Sequence, residues 1–156
     1  MYYEIKKVEY EEELDRALRL IWDTFQEFVA PDYSKEGVNT FRLNYIENND
    51  FKEHFRNGHQ TMYGAYIECY LIGVLSIGSN NVISCVFVDK RYHRKGVATN
   101  LFNYILPKLK ENNINKIKLN ASPYAVPFYH ALGFKNLGSQ MDYQGIIYTP
   151  MELTLI

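Results

Sequence analysis

Apolar positions along the chain follow two rhythms, one near 3.6 residues and one of two, and their order predicts a mixed α/β domain. Tyr2 to Val8 alternates loosely as an edge strand. A helix follows from Tyr10, with Glu11, Glu12 and Glu13 in its first turn and Leu14, Ala17, Leu18, Ile21, Trp22 and Phe25 as its apolar stripe. Pro31 ends it, and Ser34 caps a second helix running to about Ile46. A short third helix is marked by Asp50 and Glu53 at capping-box spacing and stopped by Gly58. Two strands, about Thr61–Glu68 and Tyr70–Ile77, form a hairpin, and Gly78-Ser-Asn-Asn81 turns into the β-branched run Val82–Val88, a buried strand.

The next helix places Ala98, Leu101, Phe102, Ile105 and Leu109 on one face, with a kink expected at Pro107. Lys116–Asn120 alternates as a strand, and Ser122–Leu132 is helical. Pro127 leaves the start of that helix open between Ser122 and Val126. Phe128 and Leu132, four apart, make its buried side, and Gly133 is a C-cap turning the chain into a strand at Phe134. Ile146–Leu155 is the last strand. Residues 1–156 therefore form one α/β domain, with meander strands before a single βαβ crossover and no repeats or linkers.

Between the run Val82–Val88 and the following helix lies the basic turn Arg91-Tyr-His-Arg-Lys-Gly96. Such a strand-to-helix turn aims backbone N–H groups outward at the positive end of the helix dipole, which makes an anion site with phosphate as its usual occupant. Gly96 lets the backbone approach the anion closely. Neither GxxxxGK[ST] nor GxGxxG is present.

Composition narrows the partners. The formal net charge of −1 gives no global field for nucleic acid or a membrane surface. The segment Lys90–Lys95 is the one basic cluster that a nucleic acid could use, and no second cluster accompanies it. No apolar run reaches spanning length and Met1-Tyr-Tyr-Glu-Ile5 lacks the parts of a signal peptide, so a cytoplasmic location is expected. Cys69 and Cys85 have no metal-ligand or disulfide spacing, and no metal is expected. The 14 Tyr hint at a Tyr-lined cleft.

The segment His93-Arg-Lys-Gly-Val-Ala98 resembles the Q/R-x-x-G-x-G/A pyrophosphate loop of the GNAT superfamily of N-acetyltransferases, with His93 in the Gln or Arg place. One helix and one strand later, Phe128-Tyr-His-Ala-Leu-Gly-Phe134 resembles the element that closes the acetyl-CoA site in that family. The resemblance implies a central, mostly antiparallel, splayed mixed sheet of six to seven strands flanked by about four helices. It implies acetyl-CoA as co-substrate, an amine acceptor, and Tyr129 as the general acid that protonates the departing thiolate. It implies that the backbone of Val86, Phe87 and Val88 pairs with the pantetheine arm, the Val88 N–H polarising the thioester carbonyl. The amides of Arg94, Lys95, Gly96, Val97, Ala98 and Thr99 would hold the pyrophosphate, with Arg94 and Lys95 adding charge. Ser122 stands where members often have Asn, and Asn120, two residues early, would be a further pantetheine contact.

The base is open. Ile117 stands where some members carry a catalytic Glu; Glu27, Asp32 and Tyr33, bordering the acceptor cleft in this fold, are candidates, and His130 points to another side of its helix than Tyr129. Asp32 and Asp142 make a cationic small amine or an N-terminal amine plausible acceptors. Cys85 as a nucleophile is disfavoured, because alternation places it with Ile83 and Phe87 on a core face. A non-catalytic acyl-CoA-binding sensor with the same fold is the alternative reading, and a homodimer through the last strand is open.

Overall fold

The structure is a computed structural model that describes residues 1–155. Eight strands make one sheet: β1 (Glu4–Lys7), β2 (Gln60–Ile67), β3 (Tyr70–Gly78), β4 (Val82–Val88), β5 (Lys116–Ala121), β6 (Lys135–Asn136), β7 (Met141–Tyr143) and β8 (Ile146–Thr154). They lie in the order β1-β2-β3-β4-β5-β8-β6, with β7 hairpinned onto β8. Every pairing is antiparallel except β4 with β5. The described residues also form five α-helices: α1 (Tyr10–Phe28), α2 (Lys35–Phe41), α3 (Asn49–Asn57), α4 (Val97–Glu111) and α5 (Val126–Leu132).

The helix ends follow local chemistry. The Ser34 hydroxyl accepts the Gly37 N–H at 3.1 Å and caps α2, as expected, but α2 passes into a π-helical turn, Arg42–Ile46, instead of continuing regularly. The cap of α3 is Asn48, whose side chain accepts the Phe51 N–H at 2.8 Å; Asp50 lies already inside the helix. Pro107 sits within α4 without ending it. Helix α5 begins at Val126 with a proline in its first turn, where the missing N–H has no partner to lose.

The two faces of the sheet carry two cores. Helix α4 covers one with Val97, Leu101, Phe102 and Ile105, and α1 covers the other with Leu14, Ala17, Leu18, Ile21 and Phe25. Strand β4 contributes to both, but not as alternation predicts. A bulge in the β3–β4 pairing leaves Ser84 without a partner between Ser76↔Cys85 and Ile77↔Ile83. Ile83, Val86 and Val88 therefore pack on the α4 side, while Cys85 and Phe87 pack on the α1 side. The extra residue inverts every side chain after it, which separates Cys85 from Ile83.

The β7–β8 hairpin, unmarked in the hydrophobic pattern, reaches back to α2. Gly37 and Gly145 meet backbone to backbone, and a Cβ on either would overlap the other. The Thr40 hydroxyl lies 2.9 Å from the Gln144 carbonyl and shares its proton with that of Glu36. Gly37→Ala is expected to destabilise the fold by about 2 kcal/mol through overpacking, despite the better helix propensity of Ala. Urea denaturation of both proteins reads this directly. An unchanged midpoint would mean that the hairpin is free of α2.

Candidate active site

The parallel pairing of β4 with β5 is brief: Val82↔Lys118 and Ile83↔Leu119, and nothing beyond. From Ser84 onward the two strands diverge, and a cavity of about 960 Å³ opens where their backbones would otherwise meet. The ladder on the other edge of β4 shows which groups face it. The Asp89 N–H donates to the Ile72 carbonyl at 2.8 Å beside the pair Gly73↔Val88. That makes the pair non-hydrogen-bonded, so Val88, and Val86 two residues earlier, turn their N–H and C=O groups away from β3 into the splay. Phe87, the residue between, gives its backbone groups to β3. Of the three sequence-predicted strand residues, all line the cavity but only Val86 and Val88 present free amides to it.

His93 confirms that direction. Its Nε2 lies 2.6 Å from the Val88 carbonyl oxygen, and its ring packs 4.6 Å from Phe28 of α1. The imidazole thus ties the basic turn to the end of β4 and occupies the Val88 carbonyl, leaving the Val88 N–H as that residue's open group. His93→Ala should loosen the turn and weaken anion binding there several-fold, about 1 kcal/mol for one lost hydrogen bond. His93→Gln, which can donate to the same carbonyl, should restore affinity in a calorimetric titration. Equal losses in the two variants would show that the ring packing, and not the hydrogen bond, carries the effect.

The turn itself is built as an anion cradle. Asp89 Oδ1 accepts the Arg91 N–H at 2.9 Å and starts the 3-10 turn Lys90–Tyr92. Arg94 and Gly96 take left-handed backbone conformations, φ 60° and 79°. They swing the chain so that Val97, Ala98 and Thr99 open α4 with N–H groups that have no partner within the helix. A Cβ added at Gly96 would meet nothing within 4 Å, so open space stands over the loop at that point. Arg94 lines the cavity and Lys95 does not, which leaves Arg94 as the cationic side chain of this pair at the cavity.

Across the splay stands α5. Tyr129 is 6% exposed, its ring edge-on to Phe134 at 5.4 Å and to Phe102 at 6.2 Å, and it lines the cavity. It is the buried residue of this short helix; Phe128 and Leu132, expected in that role, are only half-buried. Burial first, and the nearby Cys85 second, push its phenol above the ordinary tyrosine range, so it stays protonated and able to donate. Its hydroxyl has no hydrogen-bond partner among the described residues. Asn120 and Ser122, on the β5 side, line the same cavity.

The two carboxylate base candidates, Glu27 and Asp32, do not line the cavity. Glu27 is exposed and pairs with Lys90 at 3.3 Å. Asp142 folds back to accept the Gly145 N–H at 2.8 Å in the hairpin turn. His130 is exposed and bonds Asn136 at 2.8 Å, on another side of α5 as expected. Ile117 is fully buried in the α4-side core. Cys85 lines the cavity, but burial pushes its thiol up to about 11, so it carries no thiolate near neutral pH. Tyr33 does line the cavity, with a phenol raised to about 12 by burial, then by Tyr45 and Asp32. Sequence reasoning missed Phe28, Tyr124 and the hairpin's Tyr143 and Tyr148, all of which line the cavity; only the abundance of Tyr pointed toward them.

The structure thus brings together a strand-to-helix turn with open amides, a splayed parallel pair and a buried Tyr around one cavity. Comparison with known proteins agrees. Residues 29–155 match the family model of the acetyltransferase (GNAT) domain, and the chain belongs to that family. An uncharacterised N-acetyltransferase of Bacillus subtilis, YitH, is 34% identical over 86 residues; that match covers 55% of this chain but only 29% of YitH. Among solved structures, the PaiA N-acetyltransferase of Thermoplasma acidophilum in complex with coenzyme A superposes with a TM-score of 0.78 at 20% identity, covering 99% of both chains. A GCN5-related N-acetyltransferase from Rhodopseudomonas palustris gives 0.84 at 16% identity, over 99% of this chain and 97% of that one. At these identities the structures show a common fold. The expected mixed sheet, mostly antiparallel and splayed, is present, with two short strands, β6 and β7, beyond the core six.

Proposed function

We propose that this chain transfers an acetyl group from acetyl-CoA to an amine by direct attack. The observation that carries the reading is the break in pairing after Ile83↔Leu119, which leaves the Val88 amide and the buried Tyr129 lining one cavity with the anion loop at its edge. The amides at the start of α4 and Arg94 fit the pyrophosphate, and the free groups of Val86 and Val88 fit the amide-bearing pantetheine arm as an added strand would. The Val88 N–H then donates to the thioester oxygen and stabilises the charge that develops there. The amine nitrogen bonds to the acetyl carbon, the tetrahedral intermediate expels the thiolate, and the Tyr129 hydroxyl supplies the proton that makes CoA–SH. The amine's own proton leaves to solvent, and Tyr129 regains one from solvent, which restores the enzyme. No covalent intermediate on Cys85 is needed, in keeping with its protonated thiol.

Incubation with acetyl-CoA and a mixture of amines tests the proposal. Release of CoA thiol that depends on amine is expected. Tight CoA binding without any amine-dependent release would favour the non-catalytic sensor, a reading that the absence of Glu27 and Asp32 from the cavity lining also supports.

A further inference from the structure

The bulge at Ser84 sends Cys85 and Phe87 to the α1 side of β4, where both line the α1-side compartment of the cavity. Its walls come from three places. The end of α1 supplies Phe25 and Phe28, the α2 region supplies Tyr33, Phe41 and Tyr45, and the β7–β8 hairpin supplies Tyr143 and Tyr148. The Gly37–Gly145 contact and the Thr40 hydroxyl lock the last two walls together. Phe25 and Phe41 stack at 3.9 Å, and Phe41 meets Phe87 edge-on at 6.2 Å, so the lining is a continuous aromatic surface and not scattered rings.

The titratable groups facing this compartment are the phenols of Tyr33, Tyr45, Tyr143 and Tyr148 and the thiol of Cys85; His93 and Arg94 line the cavity on the side of the anion loop. Burial raises Tyr33, Tyr45 and Cys85, so all three are neutral near pH 7. No Asp or Glu is among the described residues that line the cavity; Asp32, outside the lining, is felt there only as the smallest of the influences that raise Tyr33. An ammonium entering such a space leaves water without gaining a counter-ion, and the same desolvation that opposes its charge drives it to the neutral, nucleophilic form. One amine can shed one proton in this way. A second or third ammonium on the same molecule would have to be buried or left outside.

Resting on the acetyltransferase reading above, we infer that the acceptor is a monoamine with an uncharged aromatic or branched apolar body, and that polyamines, aminoglycosides and zwitterionic amino acids are poor acceptors. The aromatic walls bury the apolar body, and the Tyr33 and Tyr45 hydroxyls offer it polar contacts at no charge. The compartment itself takes the place of the missing carboxylate base by lowering the amine's proton affinity.

The test uses the full chain, acetyl-CoA and four probes: phenethylamine, phenylalanine, spermidine and kanamycin. CoA affinity is measured separately by calorimetry, and thiol release gives kcat/KM for each amine. Phenethylamine is expected to exceed spermidine and phenylalanine by about 100-fold, the penalty of an extra buried charge. Asn44→Asp, a nearly isosteric change at an exposed position on the cavity wall, should narrow the gap between spermidine and phenethylamine about tenfold by supplying a counter-ion. Spermidine, kanamycin or phenylalanine as the best acceptor would overturn the inference, whereas CoA binding with no amine accepted would overturn the acetyltransferase reading in favour of the sensor. Failure to bind CoA would likewise overturn the acetyltransferase reading on which the inference rests.

Discussion

Replacing Tyr129 with Phe should lower kcat for acetyl transfer on the order of 100-fold, the usual worth of a positioned general acid. CoA affinity and stability should hardly change. The reason lies in how the ring and the hydroxyl are separately held. Phe102, Phe128 and Phe134 grip the ring, and Phe keeps that contact. The hydroxyl has no protein partner among the described residues, so its removal orphans nothing. A group that is buried, kept protonated by its surroundings and free of any structural bond has its proton available for another molecule. Steady-state kinetics beside a melting curve makes the distinction. Full kcat in the variant would place the acid elsewhere, while a collapse of the melting temperature would mean that the hydroxyl is structural after all.

Gly96→Glu should abolish CoA binding and leave a folded protein. The position is left-handed, φ 79°, so any L residue there costs roughly 1–2 kcal/mol. No protein atom lies within 4 Å of the new Cβ, so there is no clash to add to that strain. What the side chain meets is the space over the α4 amides, and it brings a negative charge to the place where the pyrophosphate would sit. Wild-type protein should gain about 2.7 kcal/mol of stability with CoA at 100 times its Kd. The variant should gain none. Equal stabilisation of the two would move the anion site away from the α4 turn.

Much of this site was legible in the chain. The strand Val82–Val88 has the predicted bounds, and Gly96 and Gly133 stand at left-handed positions, φ 79° and 104°, at the two turns the motifs marked. Short-range chemistry decides such features: a β-branched run, a glycine where only glycine is unstrained, a Ser placed to cap α2. Sequence reasoning went astray where long-range contacts decide. Nothing local marks Ser84 as a bulge, because the extra residue is defined by its partner β3; Cys85 is buried beside Phe87 as expected, but the missed bulge wrongly grouped Ile83 with them. The hairpin at Gln144-Gly145 is likewise stabilised by docking on Gly37, over a hundred positions away in the chain. Helix α5 buries Tyr129 and not the Phe128–Leu132 stripe, since a two-turn helix follows the cavity it borders more than its own periodicity. Glu27 and Asp32 were placed by analogy of position, and the Glu27–Lys90 ion pair shows how an acid at the right point in the chain can still face away from the cavity.

Calorimetric titration of CoA into the wild-type chain is the most direct test of the central claim, that the splay between β4 and β5 is an acyl-CoA site. One-to-one binding with micromolar affinity, weakened when the pyrophosphate is removed from the ligand, is the predicted result. A correctly folded protein that takes up no CoA would contradict the account, and the cavity between the two strands would then belong to a different ligand.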